Sequence, residues 1–419
     1  MRGGGSTELE WINASGKIED RTHLRKWVIP EQIRDEPIHR WFVFPHSFTQ
    51  DLVQTLLAEW KMDQSCHILD PFVGAGTTLV ASKEQGIPAI GYDLSPLAVF
   101  VSNVKVTNYD QGKIVKRWQE LSKRLKTRPG SRNEDFPDLI ERAFPGISLD
   151  ILAHIRREIS RVEDKRTRDF FLLALLFILK NFSKAIPNGG WLRWSRHRVP
   201  WAQILPAFRE RVDAMINDLG QLQVRHKKGK WKAFVADARN LPQSDRLFDA
   251  LITSPPYPNR HDYTRIFNVE LLFAFLDKEG VRRLRYQSFQ SHVESRPKRN
   301  NGNGYCEPVL LRQTLDRLTG KPHDHRIPRM LRGYFEDCYL NLVSSTRLMK
   351  PGAKMAYVVG NARYSGFPIY VDEILSDIGQ QIGLTLERII ALRYRGNSAQ
   401  QMGEYGRDPS RESVVVFKR

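Results

Sequence analysis

The stretch 66-CHILDPFVGAGTTLVASKEQGIPAIGYDLSP-96 decides the fold of this chain. It parses as a short strand (67–70), a turn carrying Gly74 and Gly76, a helix from about Thr77 to Gln85, and a second strand (88–93) closed by Asp93. Strand, helix and strand at this spacing make a βαβ unit, and a βαβ unit implies a parallel sheet. Glycines at the end of a first strand let the backbone approach a ligand, and the helix that follows presents its N-terminal amides. An ordinary tight βα turn explains the Gly-Ala-Gly equally well. The position weighs more, because ligands of parallel sheets bind outside the carboxyl ends of the strands.

Three acids fall at such ends. Asp70 follows the first strand and Asp93 the second, where a carboxylate is suited to accept from both hydroxyls of a ribose. Asp237, in 233-AFVADA-238, ends the next strand of the core, where an acid suits an adenine amino group. Three strand-end acids beside a glycine turn describe a nucleoside pocket. The dinucleotide pattern GxGxxG is absent, since Thr77, Thr78 and Leu79 follow Gly76, and there is no Walker-type GxxxxGK[ST].

Outside this unit the 419 residues divide by pattern. Residues 1–38 read as an N-terminal arm, its first 35 residues Gly-rich and then polar, a loose segment. Core sequence begins at 39-HRWFVFPHSFTQDLVQTLLAEW-60 and runs to 104. Residues 105–232 read as a mainly helical insert that includes 191-WLRWSRHRVPW-201, either a tryptophan-anchored bundle surface or a DNA contact. The apolar run 170-FFLLALLFIL-179 is too short to span a bilayer and reads as a buried helix. The α/β pattern resumes over 233–277 with 248-FDALIT-253, and again over 334–419 with 354-KMAYVVG-360 and 413-SVVVFKR-419. Between them, 278–333 is a basic, loop-rich insert with thirteen Lys/Arg against five Asp/Glu. The whole is an α/β chain with a mostly parallel sheet and two inserts.

Sixty-five basic against 47 acidic residues give a net charge of +18, which points to a polyanionic partner, most simply nucleic acid. Three scattered cysteines, Cys66, Cys306 and Cys338, offer neither a disulfide framework nor a CxxC metal pattern, and suit a reducing, cytoplasmic setting. The first residues have no secretory signal, so no membrane partner is expected.

DPFVGAGTT, IGYDLSPLA and TSPPY together resemble the S-adenosylmethionine-dependent methyltransferases of DNA amino groups. The resemblance covers most of the α/β core and implies a Rossmann-like methyltransferase fold with S-adenosylmethionine as cofactor. It assigns Asp70, Phe72, Gly74 and Gly76 to the methionine end of the cofactor, with Pro71 and Thr77 also cofactor-binding, Asp93 to the ribose, and Asp237 with Ala238 to the adenine edge. The segment HRWFVFPHSF (39–48) is similar to the family's N-terminal cofactor motif. The loop Ser254, Pro255, Pro256 and Tyr257 carries the chemistry in that family. No cysteine follows a proline, so the nucleophile of the ring-carbon methyltransferases is missing.

That assignment explains the composition of the loop. An exocyclic amino nitrogen delocalises its lone pair into the ring and is a poor nucleophile. Acceptors for both amino protons, Ser254 Oγ and the Pro255 carbonyl, draw the nitrogen toward tetrahedral geometry. Two prolines fix φ and so pre-set the alignment. Tyr257 offers a face for an extruded base. In this family Ser at the first loop position goes with cytosine N4 and Asp with adenine N6, so cytosine is favoured. Duplex DNA with a flipped base is the expected partner, contacted by Arg260, His261, Arg296, Lys298 and Arg299, in a bacterial or archaeal restriction-modification system whose endonuclease is a separate chain. An adenine-N6 enzyme, an RNA base methyltransferase and a catalytically silent nucleic-acid-binding subunit remain as alternatives. The stretches 359-VGNARYSG-366 and 394-YRGNSAQQMGEYGR-407 read as loops that close over the site.

Overall fold

The computed structural model describes residues 17–29, 33, 35–127, 134–188, 191–196, 200–221, 229–259, 261–296, 304–320, 324–395 and 410–419. Its main sheet has eight strands: β1 (Ile18–Asp20), β2 (Ile68–Asp70), β3 (Ala89–Asp93), β4 (Trp231–Val235), β5 (Phe248–Thr253), β6 (Met349–Gly360), β7 (Thr385–Arg395) and β8 (Ser410–Lys418). They lie in the order β1-β7-β8-β6-β5-β2-β3-β4. Every neighbouring pair is parallel except the two made by β8, which lies antiparallel between β7 and β6. The chain moves outward from β2 through β3 to β4 and then crosses back to β5 on the other side of β2. That reversal makes a switch point between β2 and β5, where open α/β sheets take ligands. The Rossmann-like, mostly parallel α/β sheet expected from the motifs is the sheet observed.

Alternate residues of the central strands feed two cores, as a period of two requires. Ile68, Ile252, Ala356, Val358, Val414 and Val416 face one. Leu69, Leu251, Met355, Tyr357, Val415 and Phe417 face the other. The first core is covered by helices Gln50–Glu59, Thr77–Glu84 and Pro96–Val106 and then by the helices of the long insert. Helix Lys165–Phe182 contains the ten-residue apolar run; Asp164 caps it by accepting from Thr167 N at 2.9 Å, and its interior is buried. Among the described residues no helix is long and apolar enough to cross a membrane.

Four segments differ from the sequence reading. The expected loose arm contains β1, which extends the sheet by pairing in parallel with Ile389–Ala391, and Arg21 pairs with Glu59 at 2.9 Å. An open strand edge offers unpaired amides and carbonyls that such a segment satisfies. The helical insert also holds an antiparallel hairpin, Ala185–Asn188 with Trp191–Trp194. In the basic insert, Lys278–Gln287 and Val309–Leu318 are helices that bury Val281, Leu284, Leu311 and Leu315, so apolar spacing prevails there over the surrounding charge. Within 359–366 the expected loop is a continuation of β6 followed by a small hairpin, Ala362–Tyr364 with Phe367–Ile369. Tyr394 and Arg395 belong to β7, and the rest of 394–407 lies outside the described residues.

Candidate active site

A large cavity opens at the carboxyl ends of β2, β3, β4 and β5. Its floor is the turn after β2. Asp70, almost fully buried, accepts from Thr253 Oγ1 at 2.6 Å and from Phe72 N at 3.1 Å, tying the ends of β2 and β5 together. Asp93 accepts from Gly74 N at 3.0 Å and from Ser95 N at 2.9 Å. Burial pushes both carboxyls up to about 6, against the pull of those donors. Asp70, Pro71, Phe72, Gly74, Thr77 and Asp93 all line the cavity.

Gly76 is not on the cavity wall. It caps helix Thr77–Glu84 at φ 84°, and a Cβ there would stand 2.9 Å from Ser102 Oγ. Its role in the structure is the left-handed turn and close packing on the next helix, where the sequence suggested backbone approach to a ligand. Gly74, also left-handed at φ 46°, does face the cavity.

The second wall is Phe44–Phe48, from the segment that resembles the N-terminal cofactor motif. Lys105, fully buried, holds the approach to it by donating Nζ to His39 O at 2.9 Å and to Phe42 O at 2.7 Å. His46 has a positive φ of 61°, which a non-glycine residue adopts at a cost of about 1 kcal/mol. Its ring lies 4.8 Å from that of His261 and 5.7 Å from that of Tyr257.

The third wall brings Asp237 and Ala238 together with residues that sequence reasoning missed. Asp237 lies two residues past the end of β4 and caps a short 3₁₀ turn. Its carboxylate pairs with Arg239, whose Nη2 reaches Asp237 Oδ2 at 2.6 Å and whose Nη1 reaches the buried Asp337 at 3.2 Å. Arg239 also donates to Gln287 O at 2.5 Å, and Gln290 N donates to Asp337 at 2.9 Å. These bonds draw Ser288–His292 over the cavity, so the basic insert supplies Phe289, Ser291 and His292 to its lining. Phe289 meets Phe72 edge-on at 5.3 Å. Only the apolar Phe289 within a polar stretch was available in the sequence as a signal.

The fourth wall is the loop after β5. Ser254, Pro255 and Pro256 line the cavity beside Asp70. Ser254 Oγ donates to Val358 O on β6 at 3.0 Å, so its hydroxyl proton points into the sheet and its lone pairs stay available as acceptors. Tyr257 is 5 % exposed and outside the cavity lining. Its hydroxyl donates to Glu412 Oε1 at 3.1 Å. The open stacking face expected of this ring is therefore covered in the present conformation, with His46 beside it.

Of the nucleic-acid contacts named from sequence, Arg260, Lys298 and Arg299 lie outside the described residues. Arg296 is exposed, its guanidinium 5.8 Å from the Tyr286 ring. His261 sits against His46 and is not in the cavity lining.

No family model matches the chain. In sequence it is similar to the type II methyltransferase M.BsoBI of Geobacillus stearothermophilus, 28% identical over 460 residues that cover 96% of this chain and 89% of that one. The type II methyltransferase M.AvaI of Nostoc sp. is 29% identical over 438 residues, 94% of this chain and 89% of its own. M.MvaI of Kocuria varians, another type II methyltransferase, is 22% identical over 371 residues, 82% and 81% of the two chains. A solved structure, TrmN from Thermus thermophilus, aligns with a TM-score of 0.30 and 11% identity, covering 90% of this chain and 49% of that one, about half its length.

Proposed function

We propose that this chain, a homologue of type II DNA methyltransferases over nearly its full length, methylates an exocyclic amino group of a DNA base, cytosine N4, as the modification half of a restriction-modification system. The observation that carries the reading is the loop Ser254–Pro256 sharing one cavity with Asp70 and Asp93.

S-adenosylmethionine supplies a methyl group on a sulfonium sulfur when bound. The residues fit it. A buried and a half-buried carboxyl at the ends of adjacent strands favour a cationic ligand, and Phe72, Leu94 and Phe289 give apolar surface for a nucleoside. In this reading Asp93 takes the ribose, and Asp70 with Gly74 the methionine end. Asp237 meets the adenine edge; it is already paired to Arg239, and Oδ2, which accepts Arg239 Nη2 while Oδ1 takes Arg239 N and Nε, keeps a lone pair for a further donor.

Ser254 and the Pro255 carbonyl accept the two amino protons. Val358 O fixes the Ser254 rotamer by taking its proton, so the acceptor geometry is set before the base arrives. Pro255 and Pro256 keep the loop from relaxing. Cytosine is preferred to adenine because Ser254 stands where the adenine enzymes of the resembled family have Asp. The basic surface, including Arg296, suits the phosphate backbone of duplex DNA.

The test is nucleoside mass spectrometry after incubation with S-adenosylmethionine and mixed-sequence duplex DNA, with RNA in parallel. The expected product is 4-methylcytosine, formed about 10²-fold more slowly by Ser254→Ala. Methyladenine overturns the choice of base and keeps the chemistry. Methylated RNA alone, or no methylated base, overturns the DNA methyltransferase reading.

A further inference from the structure

We propose that Gly360 and Glu412, paired across β6 and β8, form a seat for the ring of Tyr257, and that Glu412 is a positioning residue for methyl transfer. The kinetic part of this proposal rests on the methyltransferase reading; the structural part does not.

Gly360 and Glu412 are register partners in the antiparallel β6–β8 ladder. Glu412 is 2 % exposed, and its Oε1 accepts the Tyr257 hydroxyl at 3.1 Å. Burying a carboxyl is costly unless donors meet it, and here one of them comes from the loop after β5. Gly360 supplies the space: a Cβ at that position would lie 2.8 Å from Tyr257 Cδ2 and Cε2. One partner clears room for the ring and the other holds its far end. Together they fix both the height and the rotation of the ring above the sheet.

The seat is part of a wider arrangement in which β6 and the hairpin that follows hold the loop at three points. Val358 O takes the Ser254 proton at 3.0 Å, Gly360 lies under Tyr257, and Tyr364 OH donates to Pro258 O at 2.6 Å. Loop residues 254–258 contain three prolines and make few backbone bonds, so these side-chain anchors determine their placement. An error of one ångström in the ring is transmitted directly to the acceptor atoms of Ser254 and Pro255. Neighbouring Arg411 is occupied by Asp372 and Glu373, at 2.7 and 2.8 Å, and leaves Glu412 to the tyrosine side of the strand.

The experiment uses the full chain and four variants, Glu412→Leu, Glu412→Gln, Tyr257→Phe and the double Tyr257→Phe/Glu412→Leu, each measured by amide hydrogen exchange over residues 253–259 and by steady-state methyl transfer. Glu412→Leu and Tyr257→Phe should each speed exchange of the Tyr257 and Asn259 amides and lower kcat, both about tenfold, with KM for DNA and cofactor little changed. Glu412→Gln, which keeps an acceptor oxygen, should stay close to the parent. The double variant should be no worse than either single one. Unchanged exchange in Glu412→Leu, a Gln variant as impaired as Leu, or losses that multiply in the double variant would each overturn the seat. Should Glu412→Leu fail to fold, Tyr257→Phe removes the same bond from the other end and decides alone. A parent protein that transfers no methyl group sinks the functional reading, and hydrogen exchange still decides the seat.

Discussion

Asp93 accepts the backbone amide of Gly74 at 3.0 Å, so the acid that closes β3 also fixes the turn that leaves β2. Its other oxygen holds Ser95 N at 2.9 Å, at the start of the following helix. Asp93→Ala should therefore cost stability as well as cofactor affinity, about 3 kcal/mol in urea denaturation from two amide bonds to a carboxylate. Asp93→Asn keeps acceptor capacity and should lose less. An alanine variant as stable as the parent would remove Asp93 from the turn.

The ionisation of the floor gives a dependence on pH. Asp70 and Asp93 are raised by burial from 3.8 to about 6. A cationic cofactor favours their charged forms, so its affinity should be full above pH 7 and fall as pH drops through 6. In the ligand-free protein the sign is opposite. A raised folded pKa means that the stability these groups contribute is complete below 3.8 and is lost as pH rises through 6. Calorimetric titration of S-adenosylmethionine between pH 5 and 8 checks the first statement, and a flat profile contradicts it.

Ser254→Ala removes the acceptor proposed for an amino proton of the base and leaves the floor of the cavity intact. Single-turnover methyl transfer should fall about 10²-fold, the scale of losing one preorganised polar group in an active site. The cofactor dissociation constant should not move. Loss of cofactor binding instead would place Ser254 in the wrong half of the cavity.

Gly76→Ala and Gly352→Ala separate packing from backbone strain. Both positions have positive φ, 84° and 81°. A Cβ at Gly76 would meet Ser102 at 2.9 Å, whereas Gly352 has nothing within 4 Å. Gly352→Ala should cost about 1 kcal/mol from strain alone, and Gly76→Ala about 1–3 kcal/mol more from overpacking. Equal losses in thermal or urea denaturation would mean that the helix beginning at Pro96 moves freely to make room.

The floor of the site was legible because its signals are local. A strand, two left-handed glycines and an acid about twenty residues on are read from one window, and they specify a turn wherever the rest of the chain goes. The SPPY loop was legible for the same reason, since adjacent prolines leave the backbone few choices. What was not legible depends on distant partners. Ser288–His292 reach the cavity because Arg239 and Asp337 bind Gln287 O and Gln290 N across long separations in sequence. β1 is a strand because β7 has an edge to pair with, and Ile18–Asp20 alone has no strand pattern. Glu412 lies just before the strand read from sequence at 413–419, and only its register beside Gly360 brings it to Tyr257.

The reversed strand β8 sets an order of events during synthesis. It lies between β6 and β7, both of which leave the ribosome before it. A nascent chain can build the cofactor floor from β2, β3 and β5 while a gap remains in the sheet beyond β6. Only when β8 enters that gap does Glu412 come beneath the loop and two halves of the sheet become one. Filling an interior slot through contacts this distant in sequence is intrinsically slow. In chain order, then, the residues that build the cavity floor precede the strand that seats the loop beside it.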